Sequence, residues 1–283
     1  APAAAVVGGV YIYPALTTLA FSFAQVEVST FQVTRYVGLT NYVRALTSEE
    51  FLATMGRTLY FAAVVSACTL VISLPVALLF NKPFFGRGLV RTIVIMPWAV
   101  PPVVAGVLWG QMYHAEIGFV NKLLRLLGMP GNIVWLGEGI LALHAIILAE
   151  VWRAIPLATL MIWAGLQSLP EDVFEAAAID GASRWHVLRH LTIPLMAPVM
   201  IPVAIFQFVW AMKAFDVIFV LTRGGPHMST TTLNYLVYQQ AFQQLRFGPA
   251  AATAWILTLL TLAAILVLGV ARGRPARRQV GAA

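Results

Sequence analysis

Six stretches of this chain run for about twenty residues or more with almost no charge, and a polypeptide patterned this way has few ways to fold. They span residues 2–23, 58–81, 92–115, 139–170, 191–220 and 247–271. Glu150 and Arg153 alone interrupt the fourth, and Lys213 and Asp216 fall near the end of the fifth. Barrel strands would need only about 9–11 residues and would alternate polar with apolar, so runs of this length predict helices. Composition agrees: 60% of the 283 residues are hydrophobic and 10% are charged. A soluble domain carries about 25% charged residues to hydrate its surface, so lipid is the expected solvent. The expected fold is an all-α integral membrane bundle of six transmembrane helices, with 1–283 as a single domain.

Charge placement gives the orientation. Segments 81–91 and 171–190 with the tail 272–283 hold nine Lys or Arg in 43 residues, against seven in the 89 residues of 24–57, 114–138 and 217–246. The positive-inside rule puts the first set and both termini in the cytoplasm, with Arg272, Arg274, Arg277 and Arg278 as the clearest anchor. The net charge of +7 does not indicate nucleic acid, because no dense basic patch carries interleaved aromatics. One cysteine, Cys68, excludes an intrachain disulfide and a cysteine-based zinc site, and reads as a buried thiol. The first apolar run has no basic leader and no convincing cleavage site, so no cleavable signal peptide is expected. The start at Ala1-Pro2 suggests that a short tail precedes it.

Polar and breaking residues inside the runs mark candidate function. Pro75, Pro97, Pro101, Pro102, Pro156, Pro198 and Pro202 each remove a backbone donor. Packing kinks explain them, as does a pathway lined by broken helices, which the cluster at 97–102 favours. Glu150 with Arg153, and Lys213 with Asp216, stand three residues apart on one helix face, so each reads as a charge-compensated pair. Such pairs either line a polar path or hold helices together. Trp98, Trp109, Trp152 and Trp163 suit packing, interface anchoring or sugar stacking, and His144 suits packing.

The richest segment runs from Ser168 to Pro194. Ser168 and Glu171 have capping-box spacing, Pro170 suits a first helical turn, and Glu171 and Asp172 favour the positive end of the dipole. Ala176, Ala177 and Ala178 keep the helix slim, and Gly181 can end it in a left-handed cap. Ser183 can cap a second short helix presenting Trp185, Leu188 and Leu191. The string Glu175-Ala-Ala-Ala-Ile-Asp-Gly-Ala182, followed by Ile193-Pro194, resembles the EAA loop of binding-protein-dependent ABC importer permeases. Ile193 stands there in place of the commoner Leu. Phe215 to Pro226, Thr230-Thr-Thr232, Tyr238 and Phe242 look like the external region of the carbohydrate branch, the MalF-like and UgpA-like permeases. Tyr13-Pro14, Ser22-Phe23 and Val37 to Tyr42 look like that branch's first span and external segment. The resemblance covers essentially the whole chain and is greatest to the compact six-span members.

The resemblance implies the type I importer permease fold with a cytoplasmic coupling helix pair in loop 171–190. It implies ATPase coupling through Glu175, Ala176, Ala177, Asp180, Gly181, Ala182 and Arg184. It points to a substrate pathway at Glu150, Arg153, Ala154, Leu157, Trp210, Lys213, Ala214 and Asp216, although the family often has Tyr or Asn where Leu157 and Ala214 stand. The implied partners are a second, different permease, a dimer of ABC ATPase subunits, an extracytoplasmic solute-binding protein and a sugar or sugar phosphate, in a bacterial inner membrane. No cofactor is expected in this chain, with ATP and Mg bound by the ATPase. The sequence holds no Gly-rich phosphate loop, HExxH helix, nucleophile elbow or metal-ligand cluster, so no catalytic or metal-binding residue is expected. A secondary transporter would show internal repeats and its own ion-coupling site, and neither is evident.

Overall fold

The computed structural model describes residues 6, 8–27, 29–30 and 32–271. The tail arginines counted above lie outside the described residues, as do residues 2–5 and 7 of the first apolar run. A short π-helical stretch, Gly8–Ile12, leads into α1 (Tyr13–Ser22). An antiparallel pair, β1 (Ala24–Val26) and β2 (Val33–Tyr36), and a short α2 (Thr40–Leu46) then turn the chain back.

The long α3 (Glu49–Asn81) begins nine residues before the apolar run does. Ser48 explains the early start: its side chain accepts from the Phe51 amide at 3.4 Å, and Glu49 and Glu50 occupy the first turn. Pro75 sits inside α3 without breaking it. The third run behaves differently. It splits into α4 (Arg87–Ala99) and α5 (Pro102–Met112), bent by 103°. Pro101 forces Val100 into extended backbone and Pro102 supplies the first residue of a new helix, so 92–115 is not one straight span.

After α6 (Phe119–Leu126) comes α7 (Gly139–Leu166), which carries Pro156 internally and packs along α3 at the centre of the bundle. Next are α8 (Glu171–Ile179) and α9 (Arg184–Val187), then π-helical Leu188–Thr192 and α10 (Ile193–Met212). The fifth run was expected to continue as helix past Lys213 and Asp216. Instead α10 ends at Met212 and α11 (Asp216–Leu221) starts afresh. α12 (Leu233–Tyr238) and α13 (Phe247–Ala271) complete the chain.

By length and composition α3, α7, the run Arg184–Leu221 and α13 can cross a membrane, and the bent α4–α5 pair makes up to five. Small polar side chains tie these helices together. Ser73 donates to the Ile155 carbonyl at 3.2 Å and Ser66 to that of Ala204 at 3.2 Å.

The segment after α11 is knitted by its threonines. Thr230 and Thr231 donate to the carbonyls of Gly225 and Gly224 at 2.8 and 3.1 Å, and the Thr222 and Thr230 hydroxyls meet at 2.7 Å. Gly224 has φ +81°, and a Cβ there would lie 2.5 Å from Thr231 Oγ1, so only glycine fits. α3 anchors this turn: Arg57 donates to the Thr231 carbonyl at 2.9 Å, and Thr58 accepts from the Leu233 amide at 2.9 Å.

Candidate functional site

Two places gather the residues singled out by sequence. The first is a polar cavity of about 170 Å³ where α5, α7, α10 and α11 meet. Glu150 and Arg153, one turn apart on α7, form its charged wall. Arg153 grips both carboxylate oxygens, Nη2 to Oε1 at 2.5 Å and Nε to Oε2 at 3.4 Å. Their side chains are 2% and 12% exposed, so each charge depends on the other for compensation. Pro102, Trp210, Lys213, Ala214, Phe215, Asp216 and Val217 complete the lining.

A smaller space, sharing Arg153 and Trp210, is walled by Trp98, Ala154, Leu157, Phe206 and Gln207. All eight residues expected at the pathway therefore line one of two adjoining cavities. Phe206, Gln207, Phe215 and Val217 were not expected there. Gln207 carried a signal, being the one amide in an otherwise apolar helix, and its side chain donates to the Ala154 carbonyl at 3.5 Å.

The second expected pair does not form. Among the described residues Glu150–Arg153 is the one ion pair within 4 Å. Lys213 is exposed and Asp216 half-buried, but the helix that would set them one turn apart has ended. Side chains from the following segment take up the freed carbonyls: Asn234 donates to Lys213 O at 2.7 Å and Thr232 to Ala214 O at 3.5 Å.

The second place is the protrusion built by α8 and α9. α8 ends in a left-handed turn at Gly181, φ +70°, where the Ala182 amide donates to Ala177 O at 3.0 Å and the Gly181 amide to Ala178 O at 3.1 Å. Ser183 then caps α9, accepting from the His186 amide at 3.3 Å. The capping box expected at Ser168 and Glu171 is absent. Ser168 donates back to the Gly165 carbonyl at 2.7 Å, and Pro170 takes the cap position itself rather than the first helical turn. Glu175, Ala176, Asp180, Gly181 and Arg184 are exposed, Ala182 is half-buried and Ala177 is buried. Ala176, Ala177, Asp180 and Ala182 share an open groove with Val173, Ser183, His186 and Leu191. Ile179 and Trp185 stand 87% and 68% exposed beside it, an apolar display that water does not favour.

Residues 69–278, which include both places, match the family model described as binding-protein-dependent transport system inner membrane component. The chain belongs to that family. It is 41% identical over 204 residues to the trehalose/maltose transport system permease protein MalF of Thermococcus litoralis, covering 72% of this chain and 68% of that one. It is 32% identical over 262 residues to the sulfoquinovosyl glycerol transport system permease protein SmoG of Agrobacterium fabrum, covering 93% and 85%. The sn-glycerol-3-phosphate transport system permease protein UgpA of Yersinia pestis is 36% identical over 228 residues, covering 80% and 77%. The fold is that of a chain in a bacterial ABC transporter that imports the acidic polysaccharide alginate, with TM-score 0.84, 19% identity and coverage of 97% and 93%.

Proposed function

We propose that this chain is the channel-forming permease subunit of an ATP-driven sugar importer, with 1–283 acting as one transmembrane domain of six spans. In this reading α1 with the residues before it is the first span and the bent α4–α5 pair is the third. Both termini and the α8–α9 protrusion face the cytoplasm, and a second permease supplies the other half of the path. A solute-binding protein delivers cargo from outside, and a pair of ATPase subunits binds ATP and Mg.

One observation carries the reading. A charge-lined cavity sits between helices that are otherwise apolar, and the segment joining two of its walls, α7 and α10, extends an exposed helical pair. Buried charge in a membrane is expensive and marks a route for polar cargo. The protrusion is the part an ATPase can grip: Ile179 and Trp185 offer apolar surface and Glu175, Asp180 and Arg184 offer polar contacts. Closure of the ATPase pair stabilises whichever arrangement of the spans docks better, so ATP shifts a population instead of pushing a wall.

The cavity also speaks to cargo. Glu150 and Asp216 balance Arg153 and Lys213, and the Arg153 fork is committed to Glu150. A neutral sugar, with Trp98 and Trp210 exposed nearby for stacking on its apolar face, suits that balance best. Lys213 favours a second reading, a sugar phosphate, because it is a cation on the cavity wall without an ion-pair partner.

The test is uptake by proteoliposomes holding the assembled transporter and its binding protein. Neutral sugars are expected to be imported, and Gly181→Pro, which can neither hold the φ of +70° nor donate to Ala178 O, is expected to leave the protein inserted in the membrane while abolishing uptake. Import unchanged by Gly181→Pro rejects the coupling role. Uptake of phosphorylated sugars alone, lost in Lys213→Ala, selects the second reading.

A further inference from the structure

Among the described residues, two arginines at one end of the bundle have no anion to answer them. Arg87 and Arg91, one turn apart on α4, both lie against Trp163 near the end of α7. Their guanidinium carbons are 5.9 and 3.9 Å from the indole centroid, and Arg91 is also 5.6 Å from the Phe80 ring. Phe80 and Trp163 meet edge to face, with centroids 6.1 Å apart. Arg91 has a partial structural task, donating from Nη2 to the Phe80 carbonyl at 3.0 Å near the C-terminus of α3. Arg87 makes no comparable bond. The Nε atoms of both arginines and Nε1 of Trp163 are buried without an acceptor.

All eleven Asp and Glu residues of the chain are among those described, and none comes within 4 Å of either guanidinium. Two cations held against one indole ring repel each other, and the repulsion grows as water is excluded. Such a cluster is a receptor for an anion from outside the chain. Its surroundings say which kind. Phe85 is fully exposed and Leu89 is 67% exposed beside the arginines, while Ile93 and Met96 continue the exposed apolar face down α4. This helix end therefore stands where acyl chains give way to headgroups, and basic pockets between spans at that level bind phosphate-bearing headgroups.

We infer that the Arg87–Arg91–Trp163 cluster is a binding site for the phosphate of an acidic phospholipid. The free Nη groups of Arg87 grip the phosphate, Arg91 adds charge while holding the end of α3, and Trp163 fixes the orientation of both. Lipid bound there bridges the adjoining ends of α3, α4 and α7.

The experiment uses the assembled transporter in detergent, titrated with phosphatidylglycerol, phosphatidylcholine or inorganic phosphate, reading the thermal unfolding midpoint. Phosphatidylglycerol is expected to raise the midpoint saturably and phosphatidylcholine is not. Arg87→Gln is expected to weaken the apparent lipid affinity about fivefold, the effect of one basic contact. Lys82→Gln, an exposed charge in the same connection, is expected to leave that affinity unchanged. Arg91→Gln is expected to lower both the starting midpoint and the lipid effect, so Arg87→Gln is the variant that isolates binding. Equal lipid response in wild type and Arg87→Gln overturns the site. Equal stabilisation by inorganic phosphate, lost in Arg87→Gln, overturns the lipid as its source. Loss of subunit assembly in Arg87→Gln with no lipid response in the wild type also overturns it, assigning the anion to a partner's carboxylate.

Discussion

Glu150–Arg153 and Lys213–Asp216 have the same spacing, line the same cavity and end up in opposite states. The first pair closes as a fork inside a 28-residue helix that runs unbroken through Pro156. The second straddles the end of α10, where Lys213 caps one helix and Asp216 opens another. A spacing of three residues promises a contact only while the helix between them lasts. The cavity consequently has an ion-paired wall on α7 and, on the α10–α11 turn, a wall whose Lys213 and Asp216 are not paired with each other.

The largest effect expected from breaking this asymmetry comes from Arg153→Ala. It strands the Glu150 carboxylate, which is 2% exposed, and is expected to destabilise the protein by about 3–5 kcal/mol, read as a lower unfolding midpoint in detergent. Replacing both partners together, Glu150→Gln with Arg153→Met, is expected to restore most of that stability, since an apolar or neutral pair avoids the desolvation of two ions. If the double variant is stable yet silent in uptake, the pair serves cargo and not packing. A double variant with wild-type uptake assigns it to packing.

Asn234→Ala removes the donor to the Lys213 carbonyl and is expected to cost about 1 kcal/mol. The same change should loosen the turn and raise amide exchange at 213–216. Lys213→Ala is the mildest change. Its side chain is exposed, so stability should move by less than about 0.5 kcal/mol while uptake kinetics change. Unaltered kinetics would remove Lys213 from the route.

Hydropathy was enough to read α3, α7, α10 and α13, because long apolar helices are set by composition. The local signals at Gly181 and Ser183 also read correctly, as each depends on one residue's own geometry. Ser168 misled because a serine hydroxyl near a helix end has two outlets, and here it turns back to Gly165 instead of capping forward. The split of the third run was half visible in Pro97, Pro101 and Pro102, but proline alone does not separate a kink from a break. Pro75, Pro156, Pro198 and Pro202 all sit inside continuous helices. Phe206, Phe215 and Val217 could not be assigned to the cavity from sequence, since apolar residues in an apolar run reveal their neighbours only after the helices pack. The buried state of Thr230, Thr231 and Thr232 was equally hidden.

The length of α3 has a mechanical corollary. At about 1.5 Å per residue its 33 residues reach roughly 50 Å, well beyond a hydrocarbon layer of about 30 Å. The turns that carry Arg57 and Thr58 are bolted to Thr231 and Leu233, so this helix works as a strut. A few degrees of tilt within the bilayer would carry the 222–233 turn sideways with that end of α3, so the turn and the helix move as one lever.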